Sequence, residues 1–299
     1  MGIIEQASKR LEQLRHAGVD LPWAESAGQA APSPEQPAAL AGALQEVAAV
    51  PPPLKPPRQR IDIDLGHLSA MGYLVPGAPR SRLMDEFRSI KRPLLGNAVG
   101  SKGREAVERG NLIMITSSLP GEGKTFTSLN LAMSVASELN HSVLLVDADA
   151  TRMAIAERLR LQGPRRGLMD LLLDPSLDLA DLELATNVDK LSFLPAGTQQ
   201  ELATEIFGSR AMGTFLERLA AHGDQRIVVF DAPPLLHAAE ARVLAPQMGQ
   251  VVLVVEAGKT QQGSVQHALS LLEECPLVLT LLNQARAPAA SSPYGYYAY

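Results

Sequence analysis

Short apolar runs alternate with helical patterns from residue 112 onwards. Five of these runs have the length of buried strands in a parallel sheet, and they cover residues 112–115, 142–146, 226–230, 251–255 and 278–282. The segments between them carry apolar residues at helical spacing. This alternation predicts an α/β fold with a mostly parallel sheet and helices on both of its faces. In such sheets, ligands bind at the carboxyl ends of the strands.

A glycine-rich turn follows the first strand and precedes a helical pattern. It reads Ser-Leu-Pro-Gly-Glu-Gly-Lys-Thr over residues 118–125, so Ser118 stands where the phosphate-binding pattern G-x-x-x-x-G-K-[ST] has its first glycine. A strand, a turn and a helix in this order form a phosphate cradle, because the turn's N–H groups and the helix N-terminus face the ligand. Lys124 would contact the phosphates and Thr125 would ligate Mg²⁺, so the segment predicts a P-loop for a nucleoside triphosphate.

Aspartates follow two of the other predicted strands. Asp147 and Asp149 come after the run 142–146, and Asp231 follows the run 226–230. A single aspartate at a strand end often caps a helix. Three of them at the edge that carries the P-loop instead suit Mg²⁺, which takes carboxylate, hydroxyl, phosphate and water oxygens. The pattern therefore predicts a magnesium–nucleotide site.

The pattern along the whole chain predicts five regions. They are an amphipathic N-terminal helix over 1–24, a disordered linker rich in proline and alanine over 25–60, a helical segment over 61–110, the P-loop domain over 111–286 and a flexible tyrosine-rich tail over 287–299. The N-terminal helix would dock on a partner or a membrane surface, or pack on its own domain or self-associate. The prolines of the linker favour an extended, semi-rigid chain.

The segment 61–110 contains a second helical pattern, over residues 82–95. Asp85, Arg88 and Lys91 are spaced three apart, which predicts that they line one face of this helix. That face is either solvated or bridges subunits.

Tyrosine is concentrated at the end of the chain. Four of the five tyrosines, Tyr294, Tyr296, Tyr297 and Tyr299, lie in the last six residues. Their surroundings carry no core-forming pattern, which predicts a flexible leash. Phosphorylation would add roughly −1.5 to −2 charges to each ring, enough to switch an assembly by repulsion. On a chain that binds a nucleotide, these tyrosines suggest a substrate; the alternative is an aromatic end that packs on the protein.

Composition excludes some classes of function. The net charge of −5 gives no basic field, which argues against nucleic acid as a partner. Cys275, the one cysteine, cannot form an internal disulfide, which fits a reducing compartment. No apolar run approaches the ~20 residues of a membrane span, and no signal peptide opens the chain. A cytoplasmic protein is expected, with any membrane role supplied by a partner.

Together these motifs resemble the bacterial tyrosine kinases that regulate extracellular polysaccharide synthesis. The resemblance covers residues 82–299 and rests on four marks: Ser-x-x-Pro-Gly-Glu-Gly-Lys-Thr in the P-loop, strands that end in Asp-x-Asp and in Asp-x-Pro-Pro, and the tyrosine-rich end. The N-terminal helix, the linker and residues 86–94 resemble the soluble type associated with exosortase systems.

The resemblance implies a role for each residue of the site. Lys124 would polarise the phosphates, Asp147 and Asp149 would act in catalysis, and one of these two carboxylates would accept the tyrosine proton. Mg²⁺ would be held by Thr125, Asp147 and Asp231. The implied nucleotide contacts are Gly121, Glu122, Gly123, Lys124, Thr125, Phe126 and Asn283; a strand-end turn is the alternative for Asn283.

Two positions depart from the family. The second motif is usually Asp-x-Asp-x-Arg, whereas Thr151 holds the arginine position here, so either Arg152 replaces that arginine as a catalytic residue or one contact is lost. The family's assembly motif Glu-x-x-Arg-x-x-Arg corresponds to Asp85, Arg88 and Lys91, where lysine lacks the bidentate fork of arginine.

The function implied is an ATP- and Mg²⁺-dependent tyrosine autokinase. Its tail would be phosphorylated in trans within a ring-like homo-oligomer, of which an octamer is one form, because a short leash is expected to reach a neighbour's site more easily than its own. A membrane protein of the chain-length-determinant type would activate it and recruit it from the cytoplasm to the inner face of the membrane.

Two other functions share the sheet and the P-loop. An ATPase switch of the partition or septum-positioning type would carry lysine at the position of Leu119 and would lack the tyrosine tail. An ATP-binding scaffold would form ATP-dependent oligomers without phosphotyrosine.

Overall fold

A computed structural model of the chain describes residues 54–100, 103, 105–163, 165–222 and 226–285. The predicted N-terminal helix, most of the predicted linker and the predicted tail with its four tyrosines lie outside these residues, so those predictions stand as they were made. None of the helices that are described is both long enough and apolar enough to cross a membrane.

The described residues form an eight-stranded sheet at the centre of the fold. The strands are β1 (Gln59–Arg60), β2 (Leu112–Ser117), β3 (Ser142–Asp147), β4 (Leu184–Ala185), β5 (Leu191–Leu194), β6 (Arg226–Asp231), β7 (Gln250–Glu256) and β8 (Val278–Asn283). Their order across the sheet is β1-β4-β5-β3-β6-β2-β7-β8. Every neighbouring pair is parallel except β4 and β5. The five predicted strands are all present, and the mostly parallel sheet is confirmed.

Helices connect the strands. They are α1 (Leu65–Ala70), α2 (Arg82–Val99), α3 (Lys124–Ala136), α4 (Ala154–Arg158), α5 (Leu168–Leu173), α6 (Leu179–Leu182), α7 (Ala203–Phe207), α8 (Arg210–Ala220), α9 (Ala239–Leu244) and α10 (Gln262–Ser270).

The sheet is buried on both faces. Successive side chains of a strand point to opposite faces, and in β2 Leu112 and Met114 enter one core whereas Ile113 and Ile115 enter the other. Helices α5 to α10 contribute to the first core, and α1 to α4 contribute to the second. The prediction of helices on both faces is therefore confirmed.

Strand β1 lies inside the segment predicted to be a linker. It pairs with β4, and the ladder continues where the backbone N–H of Ile61 donates to the carbonyl oxygen of Ala185 at 2.8 Å. Ile61 and Ile63 are both buried, so alternate side chains anchor this stretch to the second core. The preceding prolines are compatible with it, because proline is tolerated at a sheet edge.

The prediction that Asp85, Arg88 and Lys91 share one face of α2 is wrong at Lys91. Arg88 is exposed and Asp85 is partly exposed, and the two pair with each other at 3.2 Å. Lys91 is only 6% exposed, and its Nζ donates to the carbonyl oxygen of Ser134 at 2.7 Å and pairs with Glu138 at 2.6 Å. Each step of three residues rotates by about 60° around a helix with 3.6 residues per turn. Two steps therefore carry Lys91 onto the face that packs on α3.

Candidate functional site

The P-loop connects the end of β2 to the start of α3, as predicted. Gly121 and Gly123 both have φ in the left-handed region, at +93° and +95°. A Cβ at Gly123 would also lie 2.1 Å from Nδ2 of Asn283, so the Asn283 side chain would have to shift. The backbone conformation therefore requires glycine at position 123, and the close approach of Asn283 adds to that requirement.

A buried carboxylate fixes the conformation of the loop from inside. Glu122 is only 2% exposed, and its Oε2 accepts a hydrogen bond from the backbone N–H of Leu119 at 2.6 Å. Its other carboxylate oxygen accepts a hydrogen bond from the hydroxyl of Thr260, after β7. Asn283 adds a third tie, since its Nδ2 donates to the carbonyl oxygen of Glu122 at 2.9 Å. Two predicted nucleotide contacts thus hold each other, and Thr260 is a partner that no sequence signal indicated.

Lys124 begins α3 and forms a buried ion pair. Its Nζ lies 2.9 Å from Oδ2 of Asp149, and the two side chains are 10% and 1% exposed. Burial alone would raise the pKa of Asp149, but the charge and the hydrogen bond of Lys124 hold that pKa below its usual value. Thr151 donates to the other carboxylate oxygen at 2.7 Å, as does the backbone N–H of Arg152 at 3.2 Å. Arg152 itself is exposed, so the catalytic role of its guanidinium stays a prediction.

Asp231 ends β6 beside the same helix. Its Oδ2 accepts a hydrogen bond from the Thr125 hydroxyl at 2.7 Å, and its Oδ1 accepts one from Ser128 at 2.9 Å. Complete burial raises the pKa of this carboxyl, although the charge of Lys124 and the two hydroxyl donors oppose the shift. Two of the predicted metal ligands, Thr125 and Asp231, thus lie within hydrogen-bond distance of each other, and Ser128 binds the same carboxylate one helical turn further on.

Asp147 lies directly opposite Asp231 in the pairing of β3 with β6. Its Oδ1 accepts a hydrogen bond from the backbone N–H of Asp149 at 3.1 Å. Its Oδ2 is buried and has no hydrogen-bond partner in the described part of the chain. Burial, and next the negative charge of Asp231, raise the pKa of Asp147 well above its usual range. A carboxylate in this position is stabilised by a cation, which fits the predicted magnesium site.

The donor set matches a metal site that a nucleotide completes. The described residues contain no group of three or more His, Cys, Asp or Glu side chains arranged to hold a metal alone. Mg²⁺ usually takes one or two carboxylates and fills its remaining positions with phosphate oxygens and waters. Thr125, Asp147 and Asp231 could supply the protein's share.

Phe126 and Asn283 border a large open cleft next to the P-loop. The cleft has a volume of about 1010 Å³ and lies between the first half of α2 and the end of β8. The ring centroid of Phe126 lies 5.1 Å from that of Tyr73 and 6.3 Å from that of Phe87. The ring is therefore fixed by packing, with the cleft on its open side.

Similarity to known proteins identifies the family of this chain. The tyrosine-protein kinase YwqD of Bacillus subtilis (strain 168) is 30% identical over 220 residues, which are 73% of this chain and 88% of YwqD. The succinoglycan biosynthesis transport protein ExoP of Rhizobium meliloti (strain 1021) is 30% identical over 211 residues, which are 70% of this chain and 25% of ExoP. The kinase domain of the Escherichia coli tyrosine kinase ETK superposes with a TM-score of 0.54 at 25% identity, and covers 78% of this chain and 97% of that domain.

No protein-family model matches the chain. The relationship to YwqD covers most of both proteins, and the match to the ETK kinase domain covers nearly all of that domain. The resemblance predicted from the P-loop and the aspartate motifs is confirmed by these matches, as is the P-loop fold. The chain belongs to the bacterial tyrosine-protein kinases.

Proposed function

We propose that this tyrosine kinase uses ATP and Mg²⁺ to phosphorylate its own C-terminal tyrosines, Tyr294, Tyr296, Tyr297 and Tyr299. The observation that carries the proposal is the convergence of Lys124, Asp147, Asp149 and Asp231 at the start of α3, within the bonded network described above. A helix N-terminus preceded by a glycine-rich loop suits phosphates. The nearby carboxylates suit the proton and the metal of phosphoryl transfer.

The residues of the site have different roles in the proposed reaction. Lys124 exchanges its contact with Asp149 for the phosphates when ATP enters. Thr125, Asp147 and Asp231 hold the metal, directly or through water. When bound, Mg²⁺ neutralises phosphate charge and orients the phosphate groups. Positioning and electrostatics are the main terms in this chemistry, so a general base adds to the rate without dominating it.

The phosphoryl transfer forms one bond, breaks another and moves one proton. The tyrosine oxygen forms a bond to the γ-phosphorus, while the bond from that phosphorus to the β,γ-bridging oxygen breaks. ADP leaves with the electron pair of that bond. The phenolic proton passes to a carboxylate of the Asp147 and Asp149 pair.

The cleft beside the P-loop is the proposed site of the adenine base. Phe126 offers a ring held by Tyr73 and Phe87, and base stacking on aromatic rings is a common contact. Asn283 lies at the end of the cleft nearest the loop. Asn283 is therefore proposed to contact the base while it holds the P-loop backbone.

The proposed cellular role is the regulation of exopolysaccharide or capsule synthesis and export. ExoP is named for succinoglycan biosynthesis and transport, which supports this role. We propose a cytoplasmic kinase that a membrane activator of the chain-length-determinant type recruits to the inner face of the membrane. The partly exposed Asp85 and the exposed Arg88 of α2 are proposed to contact a second copy in a ring-like homo-oligomer; the buried Lys91 takes no part.

Mass spectrometry of the purified chain tests the proposal. Incubation with ATP and Mg²⁺, with and without the cytoplasmic tail of a candidate activator, should add phosphate to the residues 294–299. Changing the four tyrosines to phenylalanine should remove most of the label and leave ATP binding intact. Unchanged labelling of that variant would rule out the tail as substrate. ATP-dependent oligomers without phosphotyrosine in either condition would instead favour the scaffold function.

The assembly proposal has its own test. Arg88→Ala should reduce the oligomer mass measured by light scattering, because it removes an exposed cation of α2 without disturbing a buried contact. An unaltered mass would show that α2 does not bridge subunits through this residue.

A further inference from the structure

A second cavity opens next to Asp147, away from the cleft beside Phe126. Its volume is about 380 Å³, within the range of small-ligand sites. Met153 and Leu161 line one side, and Pro195 lines another. Arg165, from the irregular segment between α4 and α5, also borders it. The cavity is therefore largely apolar, with one carboxylate and the guanidinium groups of Arg165 and Arg166 among its lining groups.

Two buried polar atoms of this lining have no partner in the described part of the chain. They are Oδ2 of Asp147 and Nε of Arg165. Buried polar atoms are nearly always hydrogen-bonded, and an unsatisfied one lowers stability. Arg166 also borders the cavity, but it already pairs with Asp174 at 3.4 Å. Both residues border one cavity, so its lining offers an occupant with a polar tip an acceptor and a donor. Asp147 is also one of the proposed metal ligands, so a hydroxyl bound here would lie beside the metal as well as beside the carboxylate.

The chemistry of the cavity fits a tyrosine side chain. Tyrosine combines a flat apolar ring with a hydroxyl that needs a partner when buried. The apolar side chains suit the ring, and the carboxylate of Asp147 suits the hydroxyl. Asp147 also borders the phosphate site, because the backbone N–H of Asp149, the partner of Lys124, donates to it. A hydroxyl beside Asp147 is thus placed at the edge of the P-loop site.

The negative charge of the transferred phosphoryl group gives Arg165 a role in this cavity. The tyrosine oxygen gains a phosphoryl group with a charge of roughly −1.5 to −2. This group forms next to Asp147, Asp149 and Asp231, whose carboxylates repel it. Arg165 brings a cation to the cavity, and a guanidinium binds phosphoryl oxygens through parallel N–H donors. Thr151, by contrast, offers no charge, and its hydroxyl is already bonded to Asp149.

We infer that this cavity binds the acceptor tyrosine and that Arg165 contacts the phosphoryl group as the tyrosine oxygen receives it. The inference rests on the proposed kinase function, and it adds the acceptor site and a residue that selects for it.

Kinetics with a separate acceptor test the inference. The enzyme is the full chain with Tyr294, Tyr296, Tyr297 and Tyr299 changed to Phe, and the acceptor is a synthetic peptide of residues 286–299. Arg165→Ala should lower kcat/KM for the peptide about 10- to 100-fold, the effect of losing a charge-assisted hydrogen bond. The KM for ATP should change less than about twofold, because Arg165 does not line the cleft beside Phe126.

Two further variants separate contact from structure. Arg160→Ala removes an arginine that does not line the cavity and pairs with Asp64 at 3.3 Å, so it should leave kcat/KM for the peptide within about twofold. Arg165→Lys keeps the charge without the fork and should recover part of the loss. Equal kinetics for Arg165→Ala and Arg160→Ala would overturn the inference.

A binding measurement distinguishes failure of this inference from failure of the kinase proposal. If the parent enzyme adds no phosphate to the peptide, the proposed function fails. Titration calorimetry with the tail peptide carrying phosphotyrosine then tests the cavity alone. Weaker binding by Arg165→Ala than by Arg160→Ala would support the cavity as a tyrosine site, and equal binding would reject it.

Discussion

The buried ion pair of Lys124 with Asp149 makes a quantitative prediction about the nucleotide-free protein. Lys124→Met keeps much of the volume of the side chain and removes its charge. Asp149 would then be buried without its cation, in a cluster that already contains Asp147 and Asp231. Because the charge of Lys124 acts on all three carboxyls, its loss should destabilise the fold as well as abolish phosphate binding.

The size of the effect follows from the geometry. At the separation of 2.9 Å between Nζ and Oδ2, an effective dielectric constant of about 20 gives roughly 6 kcal/mol of attraction. Desolvation of the two groups offsets part of this gain. The loss in free energy of unfolding also has an upper limit of about 4 kcal/mol at pH 7. An aspartate without its cation can take up a proton instead, and protonating a group with an ordinary pKa near 3.9 costs about that much at pH 7. We expect about 3 kcal/mol, or roughly 6–12 °C in Tm.

Urea unfolding followed by circular dichroism, without nucleotide or metal, measures this loss. Asp149→Asn should cost less than Lys124→Met, since Lys124 still has Asp147 and Asp231 nearby. The double variant should recover about 2 kcal/mol of the summed losses, because it removes the charge of Asp149 together with that of its partner. Lys259→Met is the matched control: its pair with Glu256 spans 3.0 Å but the lysine is 74% exposed, so its cost should stay below about 1 kcal/mol.

Two results would refute this reasoning. One is a Lys124→Met loss no larger than that of Lys259→Met, which would mean that burial adds nothing to the pair. The other is strict additivity in the double variant, which would mean that Lys124 and Asp149 do not interact in solution.

Three further changes test other parts of the fold. Gly123→Ala should abolish nucleotide binding in a titration and lower the free energy of unfolding by about 2 kcal/mol or more, because the new Cβ meets Asn283 at 2.1 Å and φ is +95°. Lys91→Ala should cost about 2 kcal/mol in urea unfolding through the loss of the buried hydrogen bond to Ser134 and of the partly exposed pair with Glu138, whereas Arg88→Ala should cost less than about 1 kcal/mol. Burial and the nearby Glu274 raise the pKa of Cys275 to about 11. Its thiol should therefore react with iodoacetamide at pH 8 roughly 100-fold more slowly than a free thiol, which mass spectrometry can follow.

Each of these has a control on the same chain. Gly72→Ala also introduces a side chain at positive φ, here +81°, but into open space, so it isolates backbone strain from the clash at Gly123. If the two alanine variants are equally stable, the contact with Asn283 is not limiting. Iodoacetamide labelling in urea gives the rate for an unprotected Cys275, and equal rates in the folded protein would contradict the raised pKa.

The sequence predicted the centre of the site well, because local patterns determine it. Strand β2, the P-loop and α3 are contiguous, and the glycines at 121 and 123 take the backbone conformation that such a turn requires. Asp147 and Asp231 were expected at one edge because parallel strands end together. Their position directly opposite each other additionally requires β3 to neighbour β6, and no pattern within either strand encodes that order.

The predictions that were wrong or missing concern residues whose surroundings are set by tertiary contacts. Lys91 looked like a surface residue, since spacing alone does not reveal that α3 packs on that side of α2. Arg165 lies in an irregular segment with no motif, so its place beside Asp147 follows only from the path of the chain. Thr260 contacts Glu122 across 138 positions of sequence, a separation at which sequence periodicity carries no information.

The hydrogen bonds between the end of the last strand and the P-loop bear on whether the tail is phosphorylated at the site of its own chain or at that of a neighbour. Asn283 and Gln284 donate to the backbone carbonyls of Glu122 and Gly121, so the leash starts beside its own phosphate site. Nine residues lead from 285 to Tyr294, and such a length spans at most about 30 Å when extended. Such a length could span the distance to the chain's own site, so the length of the tail alone does not decide between transfer within one chain and the transfer in trans that was expected. Mixing decides the matter: a Lys124→Met chain with an intact tail and an active chain without tail tyrosines can yield phosphotyrosine only in trans. Labelling of the mixture would show that assembly presents the tail to a neighbour, and its absence, with the wild-type chain labelled at a rate independent of concentration, would show transfer within one chain.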